Sequence, residues 1–272
     1  MSLDTAQKTR EKIKQYWDER AKQHLGAISA TTDDVHLREL EINTIIQTFR
    51  EIGILSYGTI LDVGCGDGYS TAKLALAFPH VRFHGIDYSA TMIEIATKRL
   101  HSEPRYRNQI ELTVGDVTEL AKACGDAKYD IVLSDRCLIN LESSESQQNA
   151  MSQIAEHTKS SGYYVAIENF VEGQENMNEA RKSVGLPEIP IRWHNLYFRE
   201  GDFTRCAQRF FGNITFKDFS SSYYFATRVI YSAMCQMRGE KPDYNHEIHE
   251  LAVKLPWFGK FSPIRMAVMR RL

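Results

Sequence analysis

The sequence predicts an α/β protein with a doubly wound, mostly parallel sheet of seven strands. Three observations predict it. Short apolar runs rich in β-branched residues recur between residues 58 and 170: TILDV, VRFHGID, IELTVGD, YDIVLSD and GYYVAIENF. Helix-like segments separate them: YSTAKLALAF, SATMIEIATKRL and ESQQNAMSQIAEHT. A loop with glycine at alternate positions, Gly64-Cys65-Gly66-Asp67-Gly68, joins the first strand to the first of these helices. Strands alternating with helices imply βαβ units and a sheet covered on both faces.

The elements follow in order. Residues 5–24 read as a helix with a charged exposed face, and ISATTDDV as a polar break. Asp33 or Asp34 suits the N-cap of the next helix, HLRELEINTIIQTFREIG. Leu37, Leu40, Ile45 and Phe49 stripe that helix and Gly53 stops it. These helices form an N-terminal cover over residues 1–55, and residues 56–272 the main domain. Beyond residue 170 the rhythm changes: a charged helix, ENMNEARKSVG, precedes the aromatic segment LPEIPIRWHNLYF. A helix, the strand NITFKDFS, the helical runs SYYFATRVIYSAMCQMRG and HEIHELAVKL, and a last strand, IRMAVMRR, complete the chain. Residues at about 221–262 thus form a helical insertion before the final strand. Its aromatics (Tyr223, Tyr224, Phe225, Tyr231) fit a lid over a substrate or a homodimer surface equally well.

Composition narrows the function. The chain has 272 residues, 43% hydrophobic and 25% charged, with a formal net charge of −2. There is no general basic field for nucleic acid. The N-terminal MSLDTAQKTREKIKQYW lacks the apolar core of a secretory leader, and no apolar run approaches a membrane span. The five cysteines are odd in number and include no CxxC, which speaks against a disulfide framework or a zinc site and for a cytoplasmic setting. His246-x-x-His249 lacks a third ligand, so no metal is expected.

In a sheet of this kind, ligands bind outside the carboxyl ends of the strands. Gly64 suits a tight turn, Gly66 a close backbone approach, and Gly68 a helix beginning near its strand. The dinucleotide fingerprint is not met, because Tyr69 stands where its third glycine would fall, and no phosphate-cradling GK[ST] follows. Asp87 closes the second strand; its two oxygens can accept both hydroxyls of a ribose. Asp116 closes the third, where it can accept from an adenine amino group while the Val117 backbone donates to the ring. A nucleoside is specified without a phosphate site.

The ordered series ILDVGCGDG, FHGIDYSATMI, VGDVTEL, YDIVLSDRCLINL and SGYYVAIEN resembles the class I S-adenosylmethionine-dependent methyltransferases over residues 58–170. That resemblance implies a Rossmann-like fold and S-adenosyl-L-methionine as cofactor. It implies that Asp62, Gly64, Cys65 and Gly66 surround the methionine part, that Asp87 holds the ribose, and that Tyr88 and Met92 flank the adenine bound by Asp116 and Val117. Ser134 and Arg136 would lie near the methyl group. Tyr16 or Arg38 would meet the cofactor carboxylate from the N-terminal segment. The pattern INL…Q…GYYVAIEN…N..R..VGLP.I…HNLYF resembles small-molecule members, several associated with sugars or secondary metabolites. The expected acceptor is therefore a small polar molecule methylated at oxygen or nitrogen. Its site would use Asn140, Asn169, Arg181, Asn195 and Tyr197, with Glu168 contacting substrate or fixing the loop. His194 has the best case as a general base, because an unperturbed imidazole titrates near neutrality. Three rivals stand beside this reading: an NAD-dependent oxidoreductase, a non-catalytic binder of the same cofactor, and an enzyme that uses a modified cofactor.

Overall fold

The computed structural model describes residues 3–24, 32–53, 57–101 and 103–272. Its centre is a seven-stranded sheet in the order β3-β2-β1-β4-β5-β7-β6. The strands are β1 (Gly58–Val63), β2 (Val81–Asp87), β3 (Ile110–Val114), β4 (Tyr129–Asp135), β5 (Thr158–Asn169), β6 (Phe211–Lys217) and β7 (Ile264–Arg271). Strands β3, β2, β1, β4 and β5 pair in parallel, and β7 runs antiparallel between β5 and β6. This is the doubly wound, mostly parallel arrangement that the alternating runs predict.

Both faces of the sheet are buried, and the strand sequences show why. Along β4, Ile131 and Leu133 enter one core while Val132 enters the other. Along β5, Tyr164 and Ala166 pack on one face, and Val165 and Ile167 on the opposite one. Period-two alternation of apolar with apolar makes a strand buried on both sides.

Helices α1 (Leu3–His24) and α2 (Val35–Ile52) precede the sheet. Asp34 caps α2, accepting from Leu37 N–H at 3.0 Å, and Gly53 ends it at φ 90°. Helices α3 (Tyr69–Ala77), α4 (Ala90–His101), α5 (Leu120–Cys124) and α6 (Ser144–His157) connect the parallel strands. Helices α7 (Val171–Ser183) and α8 (Glu200–Ala207) flank the aromatic segment that precedes β6. Between β6 and β7 lie α9 (Ser221–Tyr224), a π-helical turn (Phe225–Tyr231), α10 (Ser232–Arg238) and α11 (Ile248–Ala252).

The run SYYFATRVIYSAMCQMRG is thus interrupted where its pattern predicts one helix. Hydroxyls accompany the wider turn: Thr227 Oγ1 donates to Tyr223 O at 2.7 Å, and Ser232 Oγ donates to Thr227 O at 3.2 Å. The insertion is tied to α2 at a buried node. There Tyr223 OH donates to Asp34 Oδ1 at 2.6 Å and lies 2.7 Å from His249 Nδ1. Among the described residues, no helix is long and apolar enough to cross a membrane.

Candidate active site

The carboxyl ends of β1, β2, β4 and β5 open into one cavity of about 350 Å³. The glycine loop forms its floor. Gly64, Gly66 and Gly68 have φ of 74°, 55° and 71°, a region that disfavours side chains. Space forbids them at Gly64 and Gly68 too. A Cβ on Gly64 would lie 2.6 Å from Cys137 Sγ, and one on Gly68 would lie 2.9 Å from the Ala96 Cβ. Gly64 and Cys65 N–H both donate to Ile86 O, which ties the loop to β2.

Asp87 ends β2 beside this loop. Its Oδ2 accepts from Gly66 N–H and its Oδ1 from Ser89 N–H, each at 2.9 Å. A carboxylate has about four lone-pair sites, so each oxygen can still accept from a ligand hydroxyl. Burial raises its pKa to about 6, against the pull of the two N–H donors. Asp62, at the end of β1, accepts from Thr71 Oγ1 at 2.6 Å, and burial raises it to about 7. Tyr88, Met92, Val117 and Asp116 line the same end. The Tyr88 hydroxyl is buried with no hydrogen-bond partner among the described residues. Asp116 Oδ1 accepts from Thr118 N–H at 2.8 Å, while Oδ2 is paired with Arg10. These groups fit a nucleoside: a two-oxygen acceptor for the ribose, and an acid with a free-standing phenol at the base.

Helix α1 lies across the cavity and contributes Arg10 and Trp17 to its lining. Arg10 reaches Asp116, the Ser89 hydroxyl donates to Asp18, Trp17 Nε1 donates to Asn140 Oδ1 at 3.2 Å, and Tyr16 stacks on His194 at 4.4 Å. Tyr16 therefore meets the cavity through His194. Arg38, on α2, lines the cavity, and its guanidinium is 2.6 Å from Asp67. Asp67, fully buried, also takes Arg99 at 2.9 Å.

The far end of the cavity is lined by Arg136, Asn140, Asn169, His194, Asn195 and Tyr197, which the sequence nominates, and by Asp135, Arg192, Tyr224, Arg228 and Tyr244, most of which it does not. The π-helical turn supplies Arg228, which pairs with Asp34 and lies over Tyr244 at 4.9 Å. Arg136 adopts φ 53° and reaches Glu41 at 3.2 Å. Burial lifts Glu41 to about 8, although Arg136 opposes the shift. His194 stacks on Tyr16 and meets Trp17 and Trp193 edge-on, and burial lowers its pKa to about 4, helped by the nearby Arg192 and Arg20 charges. At neutral pH its imidazole is uncharged, and a proton taken there is held weakly. The near-neutral value that favours His194 as a base from sequence does not survive this burial.

Four nominated residues lie outside the lining. Glu168 is fully buried beneath the cavity, accepting from Ser134 Oγ at 2.8 Å, Leu138 N–H at 3.1 Å and Ile139 N–H at 3.2 Å. Burial raises it to about 7 against those donors. It braces the turn after β4 rather than facing a substrate. Ser134 is spent on Glu168 and Tyr164. Arg181 donates from Nε to Pro187 O at 2.8 Å and also binds Arg228 O, so it secures the π-helical turn from behind. Tyr16 acts through its stack, as above. Among residues the sequence does not nominate, Asp135 carried a readable signal, because it closes β4 as Asp87 closes β2. Arg10 and Arg228 carried none, each reaching the cavity from a segment distant in sequence, while Arg192 stands in the nominated aromatic segment beside Trp193 and His194.

The profile of a family described as "Methyltransferase domain" matches residues 55–211. Malonyl-[acyl-carrier protein] O-methyltransferase of Halalkalibacterium halodurans is 31% identical over 77 residues, covering 28% of this chain and 27% of that protein. Trans-aconitate 2-methyltransferase of Paracidovorax citrulli is 51% identical over 41 residues, 15% of this chain and 16% of its own. These matches span well under half of the curated relatives' lengths. Among solved structures, magnesium protoporphyrin IX methyltransferase of Synechocystis aligns over 97% of both chains with TM-score 0.59 and 14% identity. The N-methyltransferase NodS of Bradyrhizobium japonicum covers 94% of this chain and 98% of its own, with TM-score 0.57 and 14% identity. At such identities the structural likeness speaks for the fold. The matched profile covers more than half of the sequence, and with it the chain belongs to the class I S-adenosylmethionine-dependent methyltransferase family.

Proposed function

We propose that this chain transfers the methyl group of S-adenosylmethionine to a small polar molecule. The observation that carries the reading is the continuity of one cavity, from the Asp87 and Asp116 end that suits a nucleoside to the polar chamber around Asn169, His194 and Tyr197. Its volume is in the range of small-ligand sites. The named acceptors of relatives, including malonyl-[acyl-carrier protein], trans-aconitate and phosphoethanolamine, are varied and mostly small and polar.

In this reading Asp87 takes the ribose hydroxyls, Asp116 and the Val117 backbone take the adenine edge, and Asp62, Gly64, Cys65, Gly66 and Arg38 surround the amino-acid part. When bound, the cofactor supplies an electrophilic methyl group with a neutral thioether as leaving group. The chain's contribution is then mainly placement, and well-oriented reactions gain on the order of 7–11 kcal/mol from it. Asn140, Asn169, Asn195 and Tyr197 orient the acceptor. His194, neutral and held by Tyr16, positions the acceptor and takes its proton only if that proton is already acidic. Helix α1 excludes water from above, and Glu168 keeps the turn after β4 rigid from below.

The test is incubation with methyl-labelled S-adenosylmethionine and fractionated polar metabolites, following both labelled product and S-adenosylhomocysteine. Stoichiometric appearance of the two supports the proposal. Tight NADH binding without affinity for S-adenosylhomocysteine would refute it.

A further inference from the structure

Arg136 is held in an unusual backbone conformation with one donor left over. Its φ of 53° lies in the left-handed region that residues other than glycine rarely adopt. Two hydrogen bonds clamp it there: its N–H donates to Ile167 O at 2.7 Å, and Asn140 Nδ2 donates to its carbonyl at 2.7 Å. Backbone outliers fixed by their surroundings cluster at ligand clamps. The side chain lines the cavity, and its Nε is buried with no hydrogen-bond partner among the described residues.

The carboxylates around Arg136 do not use up that donor. Asp135 forms an ion pair with it, but Oδ1 stands 3.7 Å from Nε, beyond a hydrogen bond. Glu41 receives another arm of the guanidinium at 3.2 Å. Burial lifts the Glu41 carboxyl to about 8, so near neutral pH it is mostly protonated and brings little negative charge. A guanidinium carries five N–H donors in a planar fork and no acceptor.

Two further guanidiniums share the chamber. Arg228 lies 5.3 Å from the Tyr224 ring centre and 4.9 Å from that of Tyr244, and both rings line the cavity. It pairs with Asp34, which also accepts from Tyr223 OH and Leu37 N–H. Burial raises the pKa of the Tyr224 phenol against the pull of Arg228 and Arg136, so both charges act on one protonated hydroxyl. Arg192 is exposed and lies at the rim, while Asp33, also in the lining, is paired with Arg20. The chamber thus sets Arg136, Arg192 and Arg228 against at most two carboxylates, Asp34 and Asp135, and the excess is positive.

We infer that the methyl acceptor carries an oxyanionic group, a carboxylate or a phosphate, which Arg136 receives through Nε with Arg228 and the Tyr224 hydroxyl beside it. The inference rests on the methyl-transfer reading above. An oxyanion supplies the lone pairs that the Nε donor lacks and offsets the surplus charge, and hydrogen bonds between ionised partners are the strong ones. Asn169 Oδ1 and His194 Nδ1, buried in the lining without partners among the described residues, remain for N–H or O–H groups elsewhere on the same molecule. Arg136 is thereby assigned a specificity-determining role.

The test needs no turnover. Ligand-observed NMR at pH 7, on the protein saturated with S-adenosylhomocysteine, compares two matched pairs of probes: glycolate with glycolamide, and glycerol 1-phosphate with glycerol. At least one anion should bind about tenfold more tightly than its neutral partner, and which anion does so tells a carboxylate from a phosphate. Arg136→Met should remove that preference and leave S-adenosylhomocysteine affinity within about twofold. Arg136→Lys, which keeps the charge and loses the fork, should retain part of it. Neutral probes that bind the wild type as well as both anions do overturn the inference without recourse to a variant. A preference that survives in Arg136→Met also overturns it, as does loss of S-adenosylhomocysteine affinity in Arg136→Met, which gives Arg136 to the cofactor. Failure of the wild type to bind S-adenosylhomocysteine defeats the methyl-transfer reading and this inference with it, whereas cofactor binding without anion preference defeats the inference alone.

Discussion

Removing the Asp87 carboxylate is the sharpest perturbation of the cofactor end. Asp87 does two jobs: its oxygens hold Gly66 N–H and Ser89 N–H at 2.9 Å, and their remaining lone pairs face the cavity. A hydrogen bond to a charged group is worth roughly 1.5–3 kcal/mol, so Asp87→Ala should weaken S-adenosylhomocysteine about 10- to 150-fold. Asp87→Asn should be nearly as harmful, because its amide must turn an N–H toward either Gly66 N–H or Ser89 N–H. Affinity should also depend on pH. The folded pKa is raised to about 6, so the carboxyl is ionised at pH 7.5 and largely protonated at pH 5. Ionisation frees both oxygens to accept, so affinity should rise with pH through about 6 in wild type and stay level in Asp87→Ala. The opposite sign applies to stability. A raised acid pKa favours folding below the unfolded value of 3.8, and that contribution is lost as pH rises through about 6. Isothermal calorimetry from pH 5 to 8, on variants shown to be folded by circular dichroism, reads this directly. Equal affinity of wild type and Asp87→Asn would refute the ribose assignment.

Other expectations follow from the same geometry. Gly68→Val would drive a branched side chain into Ala96, where even a Cβ has only 2.9 Å, and should lower the melting temperature by several degrees while Gly66→Val chiefly abolishes S-adenosylhomocysteine binding. Glu168→Gln turns an amide N–H toward Leu138 or Ile139 N–H, or against Ser134 Oγ. It should cost about 1–3 kcal/mol in denaturant unfolding, with activity lost through the turn it braces. His194→Ala should raise KM more than it lowers kcat, and the wild-type rate should show no histidine step between pH 6 and 8, since burial holds that imidazole near 4. A rate falling steeply below pH 7 and abolished in His194→Ala would restore the general-base role.

The sheet was readable because its strands are local signals. Each apolar run of β-branched residues announces itself, and the glycine loop and the acids at Asp87 and Asp116 mark which ends face a ligand. The order β5-β7-β6 was less readable, since antiparallel insertion of the last strand is decided by long-range pairing of Val165 with Val268 and Thr215 with Val268. At the site, residues on the strand ends were legible and residues delivered by other elements were not. Arg10 on α1 and Arg228 on the π-helical turn reach the cavity only after the chain has folded over it. Glu168 and His194 show a second limit. Sequence gives a side chain's intrinsic chemistry, while burial decides whether that chemistry is offered to a substrate or spent on the fold.

The central claim is that one cavity holds the nucleoside at Asp87 and the acceptor at Asn169. A crystal structure of the protein with S-adenosylhomocysteine tests it most directly. Both ribose hydroxyls should lie within hydrogen-bond distance of Asp87, the adenine beside Tyr88 and Asp116, and the sulfur should point toward the chamber of Asn169 and His194. A ligand bound elsewhere, or bound here with its sulfur turned away from that chamber, would contradict it.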